Sequence, residues 1–213
     1  MKCIVVDLEL NQPSNKIIQI GAVLLNARSG KIIDYFSVFV NPEELLSDFI
    51  VKLTGITQQQ VDSGMSIHEG LSVFWDFVRL NTPTLVAAWG SDVRFLRRES
   101  ANIGLSSLPK KIRELDIKAM FQVIKCGFPS RKVRGGLADT LHMFGFEFDG
   151  RPHNALDDAR NTSKLLNYAV NLQYSMQLIQ KTVGGQHRTN TSKVDKSDKE
   201  QQKSHSRGIP SCS

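Results

Sequence analysis

Apolar residues fall first into three runs with strand character. Cys3–Val6 is continuous and β-branched, the pattern of a central strand covered on both faces. Lys16–Leu25 (KIIQIGAVLL) and Lys31–Val40 (KIIDYFSVFV) follow, joined by Asn26–Gly30, a five-residue connection ending in glycine that predicts a hairpin. Asn41-Pro42 then stops the sheet, because proline supplies no ladder donor. Beyond that point the period becomes helical. Ser66-Ile67-His68-Glu69 has the form of a capping box, and Ile67, Leu71, Phe74 and Val78 recur on one helical face after it. Thr84–Ala88 predicts a short strand, a helix from about Val93 to Asn102 turns Phe95, Leu96 and Ile103 inward, and Arg113–Ile117 is a candidate fifth strand. Gly135-Gly136 precede a short helix with Leu137, Leu141 and Phe144 on one face, ended by Gly145, and a last helix runs from about Ala155 to Gln180. Three early strands followed by alternating strand and helix predict an α/β sheet flanked by helices. Sites in such sheets form at the carboxyl ends of central strands.

Composition changes this picture only at the end of the chain. From Gly184 to Ser213 the apolar residues are Val194, Ile209 and Cys212, so the segment cannot bury enough surface to offset its ordering entropy. The expected organisation is therefore a folded domain over 1–183 and a disordered basic tail over 184–213. The tail carries Arg188, Lys193, Lys196, Lys199, Lys203 and Arg207 against Asp195, Asp198 and Glu200, which is half of the chain's net charge of +6. That balance suits a phosphate-bearing partner. Apolar runs as short as Ile20–Leu25 span no bilayer, so no membrane partner is expected. Met1-Lys2 leads directly into a strand-like run, which argues against a secretory signal. Cys3, Cys126 and Cys212 are widely spaced and fit no disulfide framework or zinc ribbon, so a reducing cytoplasm is the expected setting.

Candidate chemistry lies in three acidic features. The first strand ends Val5-Val6-Asp7-Leu8-Glu9, and strand alternation points Asp7 and Glu9 to the same side. Two carboxylates there either splay into solvent or face a divalent cation, whose preferred ligands they are. Asp92 follows the strand-like Thr84–Ala88 where a helix begins; it is either a helix-start acid held by backbone N–H groups or a further ligand. In His153-Asn154-Ala155-Leu156-Asp157-Asp158, helical phase puts Asp157 with Arg160, Asn161 and Lys164 on an ion-paired solvent face. Asp158 shares its face with Thr162, Leu165 and Ala169 on the apolar side, which makes it the better ligand candidate. His153 precedes the helix, and imidazole, titrating near neutral pH, suits a general base.

Asp7-x-Glu9, Asp92, and His153 ahead of Asp158, in that order, resemble the DEDDh family of 3′–5′ exonucleases, and most closely its ERI-like branch. The resembling segments are VVDLEL (5–10), KIIQIGAVL (16–24), LTGITQQQVD (53–62), AWGSDVRFL (88–96) and GRPHNALDDARNTSKLL (150–166). The resemblance implies a ribonuclease H-like fold, a mixed five-stranded sheet whose first three strands are antiparallel. It implies Asp7, Glu9, Asp92 and Asp158 as ligands of two Mg²⁺ or Mn²⁺ ions and as catalytic residues, with His153 as the base. It implies that Leu53, Thr54, Gly55 and Ile56 lie against the 3′-terminal nucleotide. The implied activity is hydrolysis from single-stranded 3′ ends to nucleoside 5′-monophosphates, with RNA favoured over DNA. Two ions supply an attacking hydroxide at neutral pH and charge relief for the leaving 3′ oxygen. A DNA exonuclease is the alternative, and a non-catalytic nucleic-acid-binding module on the same fold is a third reading, opposed by the presence of all five site residues. The chain departs from many relatives in carrying Asn11 where they have threonine. Trp89, Phe95 and Phe128 are candidates for base stacking or for core packing, and Arg131, Lys132 and Arg134 for phosphate contact or a solvated loop.

Overall fold

The computed structural model describes residues 1–106, 112–126 and 135–172. The chain divides into two units, Met1–Ala169 and Val170–Ser213, and the fold below is that of the first. The expected tail over 184–213, with Cys212, and the basic loop Arg131, Lys132 and Arg134, with Phe128, lie outside the described residues.

Five strands form one mixed sheet: β1 (Lys2–Leu10), β2 (Ile17–Asn26), β3 (Ile32–Phe39), β4 (Leu85–Ala88) and β5 (Arg113–Asp116), in the order β3-β2-β1-β4-β5. β1 pairs with β2, and β2 with β3, antiparallel; β4 pairs parallel with β1 on one side and β5 on the other. β1 is thus central, and Ile4, Val5 and Val6 are fully buried, as its unbroken apolar run requires. Alternation sends Ile4, Val6, Ile20, Ala22, Leu24, Val86 and Ala88 into the main core. There they meet α3 (Ile67–Asn81) through Leu71, Phe74, Trp75 and Val78, and α4 (Asp92–Asn102) through Val93 and Leu96. Ser66 starts α3 with the expected capping box, and the buried Trp75 Nε1–H donates to Ser100 Oγ at 2.7 Å, tying α3 to α4. Cys3, Val5, Val23 and Leu25 point to the opposite face and are as fully buried.

Three helices go beyond the pattern read from the sequence. The chain after β3 forms α1 (Asp48–Thr54) and α2 (Gln58–Asp62), which close a small core of Ile18, Leu46, Ile50, Ile56 and Val61. Both carry readable starts: Ser47 Oγ accepts from the Ile50 N–H, and Thr57 with Gln60 makes a capping box. Each is too short to establish a helical period. α5 (Ile117–Cys126) begins directly at the end of β5, so the strand stops at Asp116. The Asp116 carboxylate accepts from the Ala119 N–H at 2.9 Å and starts that helix. α6 (Leu137–Met143) is followed by the final helix, α7, described over residues 155–172.

Candidate active site

β1 supplies the first two carboxylates. Its register with β2 sets Asp7 opposite Gly21 and Glu9 opposite Gln19. Residues i and i+2 share a face, so these four lie together. Glu9 is 7% exposed, and splaying into solvent is thereby ruled out for it.

The start of α7 is pressed onto this patch. A Cβ built on Gly21 would sit 2.2 Å from the backbone carbon of Ala155 and the nitrogen of Leu156, a separation that only glycine permits. Beside it, the Gln19 Oε1 accepts the Ala155 N–H at 3.1 Å, satisfying one of the free donors of the helix start from a neighbouring strand. Gly21 and Gln19 therefore dock α7 against Asp7 and Glu9. Sequence reading placed both in an apolar strand and gave them no role, because their partner is more than 130 residues away.

Docked in this way, α7 separates its two aspartates as its helical phase requires. Asp157 is fully engaged: its carboxylate accepts from the Arg151 N–H at 2.9 Å and from Arg160 Nη2 at 3.0 Å. The face it shares with Asn161 and Lys164 is ion-paired as expected, but it is not a solvent face. Asn161 is fully buried and bridges to Asp149, while Lys164 donates to the Glu147 carbonyl, so this face clamps the preceding loop. Asp158 is different. Its Oδ2 accepts the His153 N–H at 3.3 Å, and its Oδ1 is buried with no hydrogen-bond partner. His153 itself has a left-handed backbone, φ 62°, and an exposed side chain. The bond to Asp158 holds that conformation, which is uncommon outside glycine. Ligand atoms of Glu9, His153 and Asp158 all lie within 4.8 Å of one another, so His153 approaches the carboxylates as closely as a ligand would.

Asp92 is the first residue of α4, and the capping position before it belongs to Ser91, which makes no side-chain cap bond. A carboxylate held by helix-start N–H groups is lowered in pKa. Asp92 is instead raised to about 7, by burial first and then by Asp116 and Asp158, with Lys118 pulling the other way. Burial likewise pushes Glu9 up to about 8, with Asp158 and Asp92 adding to it. Asp7 rises well above the carboxylate range through burial and the charges of Asp92, Asp158 and Glu9. Asp158 reaches about 6, mainly by burial. The four carboxylates thus form one mutually repelling, desolvated group. Asp116 and Lys118 at its border were not singled out in the sequence, where Arg113–Ile117 reads as a strand and covers the start of α5.

Such a group fits divalent cations. Its donors are carboxylate oxygens, one buried oxygen of Asp158 has no hydrogen-bond partner, and positive charge placed among the carboxylates would offset their burial and mutual repulsion.

The segment expected at the 3′-terminal nucleotide ends α1. Thr54 and Ile56 are 3% exposed: the Thr54 hydroxyl donates to the Ile50 carbonyl and accepts from the Ile56 N–H, and Ile56 packs in the small core. Their side chains are structural. Leu53 is half-buried, and Gly55 caps α1 in the left-handed conformation. Asn11, the departure noted in the sequence, is a buried clamp. Its Nδ2 donates to Glu44 at 2.7 Å and to the Leu45 carbonyl at 3.0 Å, and its Oδ1 accepts from the Ser47 N–H, fixing the approach to α1. Phe95 is half-buried against the main core, with the Arg98 guanidinium 4.5 Å over its ring, and Trp89 is half-buried.

Comparison with known proteins gives the same outline. The family model described as "Exonuclease" matches residues 4–166. ERI1 exoribonuclease 2 of Xenopus laevis is 33% identical over 176 residues, covering 71% of this chain and 25% of that protein. The PolC-type DNA polymerase III of Caldanaerobacter subterraneus is 33% identical over 168 residues, covering 76% of this chain and 11% of that protein. The chain therefore spans a quarter or less of the length of these relatives. The nuclease domain of 3′hExo, a DEDDh family member solved bound to rAMP, superposes with a TM-score of 0.68 at 27% identity, covering 80% of this chain and 92% of that one.

Proposed function

Because the chain belongs to the exonuclease family, we propose that it removes nucleotides from single-stranded 3′ ends by metal-dependent hydrolysis, releasing nucleoside 5′-monophosphates, with RNA the favoured substrate. The observation that carries this reading is the convergence of Asp7, Glu9, Asp92 and Asp158, all raised in pKa by burial first, beside His153. Its fold is the ribonuclease H-like arrangement of its DEDDh neighbour.

Asp7, Glu9, Asp92 and Asp158 would hold two ions, Mg²⁺ or Mn²⁺, because hard carboxylate oxygens suit both. When bound, the ions supply positive charge at the reacting phosphate and acidify water. The protein's own part is to keep four carboxylates converging on one point, which the Gly21 and Gln19 contacts to α7 enforce. His153 takes the proton of the attacking water. Its backbone is fixed by Asp158 while its ring remains exposed to the site. Leu53 and Gly55 lie against the terminal nucleoside, Leu53 by its side chain and Gly55 by its backbone, and Thr54 and Ile56 hold that turn from inside. A reducing, cytoplasmic setting belongs to this reading: Cys3 and Cys126 are free thiols, and among the described residues no helix is long and apolar enough to cross a membrane.

A DNA substrate is the second reading, supported by the likeness to a DNA polymerase III. The test is kcat/KM on matched single-stranded RNA and DNA oligonucleotides of one sequence. The proposal expects RNA to be preferred; equal or faster cleavage of DNA assigns the chain to the second reading.

A further inference from the structure

Gly55 has a neighbour whose role the mechanism leaves open. A Cβ built on it would lie 1.9 Å from Nη1 and 2.2 Å from Nη2 of Arg151, so the guanidinium occupies the space that any side chain at position 55 would need. Gly55 also has φ +69°, as a left-handed helix cap. The backbone is held on both sides of the contact. The Gly55 N–H is bonded to the Val51 carbonyl at 2.9 Å, the Arg151 N–H is held by Asp157, and Pro152 with its fixed φ separates Arg151 from His153.

Arg151 is exposed, and among the described residues no carboxylate pairs with it. Arg94 and Arg113 likewise have no carboxylate partner among the described residues, and what sets Arg151 apart is its contact with Gly55. An unpaired guanidinium thus stands between the turn assigned to the terminal nucleoside and the histidine assigned to the attacking water. The phosphate that joins those two points is the one undergoing hydrolysis. A guanidinium stays charged at any working pH and presents two parallel donors to phosphate oxygens.

We propose that Arg151, seated on Gly55, is the phosphate subsite of this centre and binds the non-bridging oxygens of the 3′-terminal nucleotide's 5′-phosphate. The inference rests on the function proposed above. A purely structural role, in which the cation sits against the carbonyl end of α1, is the competing account.

Binding of adenosine 5′-monophosphate and of adenosine separates the two. Both are measured by calorimetry on the full chain with Mn²⁺ present. Arg151→Ala should weaken the monophosphate about ten- to a hundredfold, the range of a hydrogen bond to a charged group, and leave adenosine unchanged. Arg151→Lys should restore part of the loss, because it keeps the charge without the paired donors. Unchanged monophosphate binding in Arg151→Ala, or an equal fall for both ligands, overturns the subsite. A wild-type chain that binds no monophosphate with metal present overturns the functional reading, and the subsite with it.

Discussion

Replacing Glu9 by glutamine should make the metal-free chain more stable above neutral pH while abolishing turnover. Burial, with Asp158 and Asp92 adding to it, moves the Glu9 carboxyl from its ordinary 4.5 up to about 8. A folded-state pKa above the unfolded one means that the fold retains a proton the unfolded chain releases. The contribution of Glu9 to the stability of the metal-free fold is therefore fully present below about pH 4.5 and is lost as pH rises toward about 8. At about 1.4 kcal/mol per pH unit, Glu9 alone costs a few kcal/mol by pH 8. Because its side chain is only 7% exposed, little of that is screened by solvent. Glutamine keeps the shape without the charge, so on the order of 3 kcal/mol should be regained, or about 10 °C in a chain of this size. The assay is thermal unfolding in EDTA at pH 5 and pH 8. The variant should melt well above wild type at pH 8 and close to it at pH 5, and Mn²⁺ should raise wild type more than the variant. A variant less stable than wild type in EDTA at pH 8 would refute the reasoning, because Glu9 would then be making a favourable contact rather than awaiting one.

Asp158→Asn should abolish turnover and, by the reasoning given for Glu9, melt no lower than wild type in EDTA at pH 8, whereas Asp157→Asn should retain chemistry and lose about 1–3 kcal/mol through its bonds to Arg151 and Arg160, read in urea unfolding. His153→Ala should slow hydrolysis about 10²–10⁴-fold, the range of a positioned general base, while metal titration calorimetry shows retained binding. Gly21→Ala should push α7 off the sheet, since its Cβ would meet backbone 2.2 Å away; the expected result is a lower melting temperature together with lost metal affinity.

Much of the site was legible because local rules fix it. Strand alternation alone puts Asp7 and Glu9 on one side, and helical phase alone separates Asp158, turned inward, from Asp157, which is tied to Arg160. The central place of β1 follows from the same logic, since its apolar run reads as a strand buried on both faces. What escaped depends on contacts distant in sequence or on elements too short to show a period. Gln19 and Gly21 look like any residues of an apolar strand until α7 arrives, and Asn11 reads as a substitution until Glu44 and Ser47 fold onto it. α1 and α2 have 7 and 5 residues, and Asp116 reads as part of the strand Arg113–Ile117 although it starts α5 and raises Asp92. Phase also misjudged exposure. Asn161 shares the charged face of α7, yet it is buried because the loop before that helix folds over it.

The central claim is that the acidic cluster on β1, α4 and α7 is a metal-dependent centre acting at 3′ ends. Its most direct test is digestion of a 5′-end-labelled single-stranded RNA, resolved by length over time, first in EDTA and then with Mg²⁺ or Mn²⁺ restored. The expected result is no cleavage in chelator and, with metal, a ladder that shortens one nucleotide at a time from the 3′ end, accompanied by nucleoside 5′-monophosphates. Undiminished cleavage after verified metal removal, or internal fragments in place of a ladder, would contradict it.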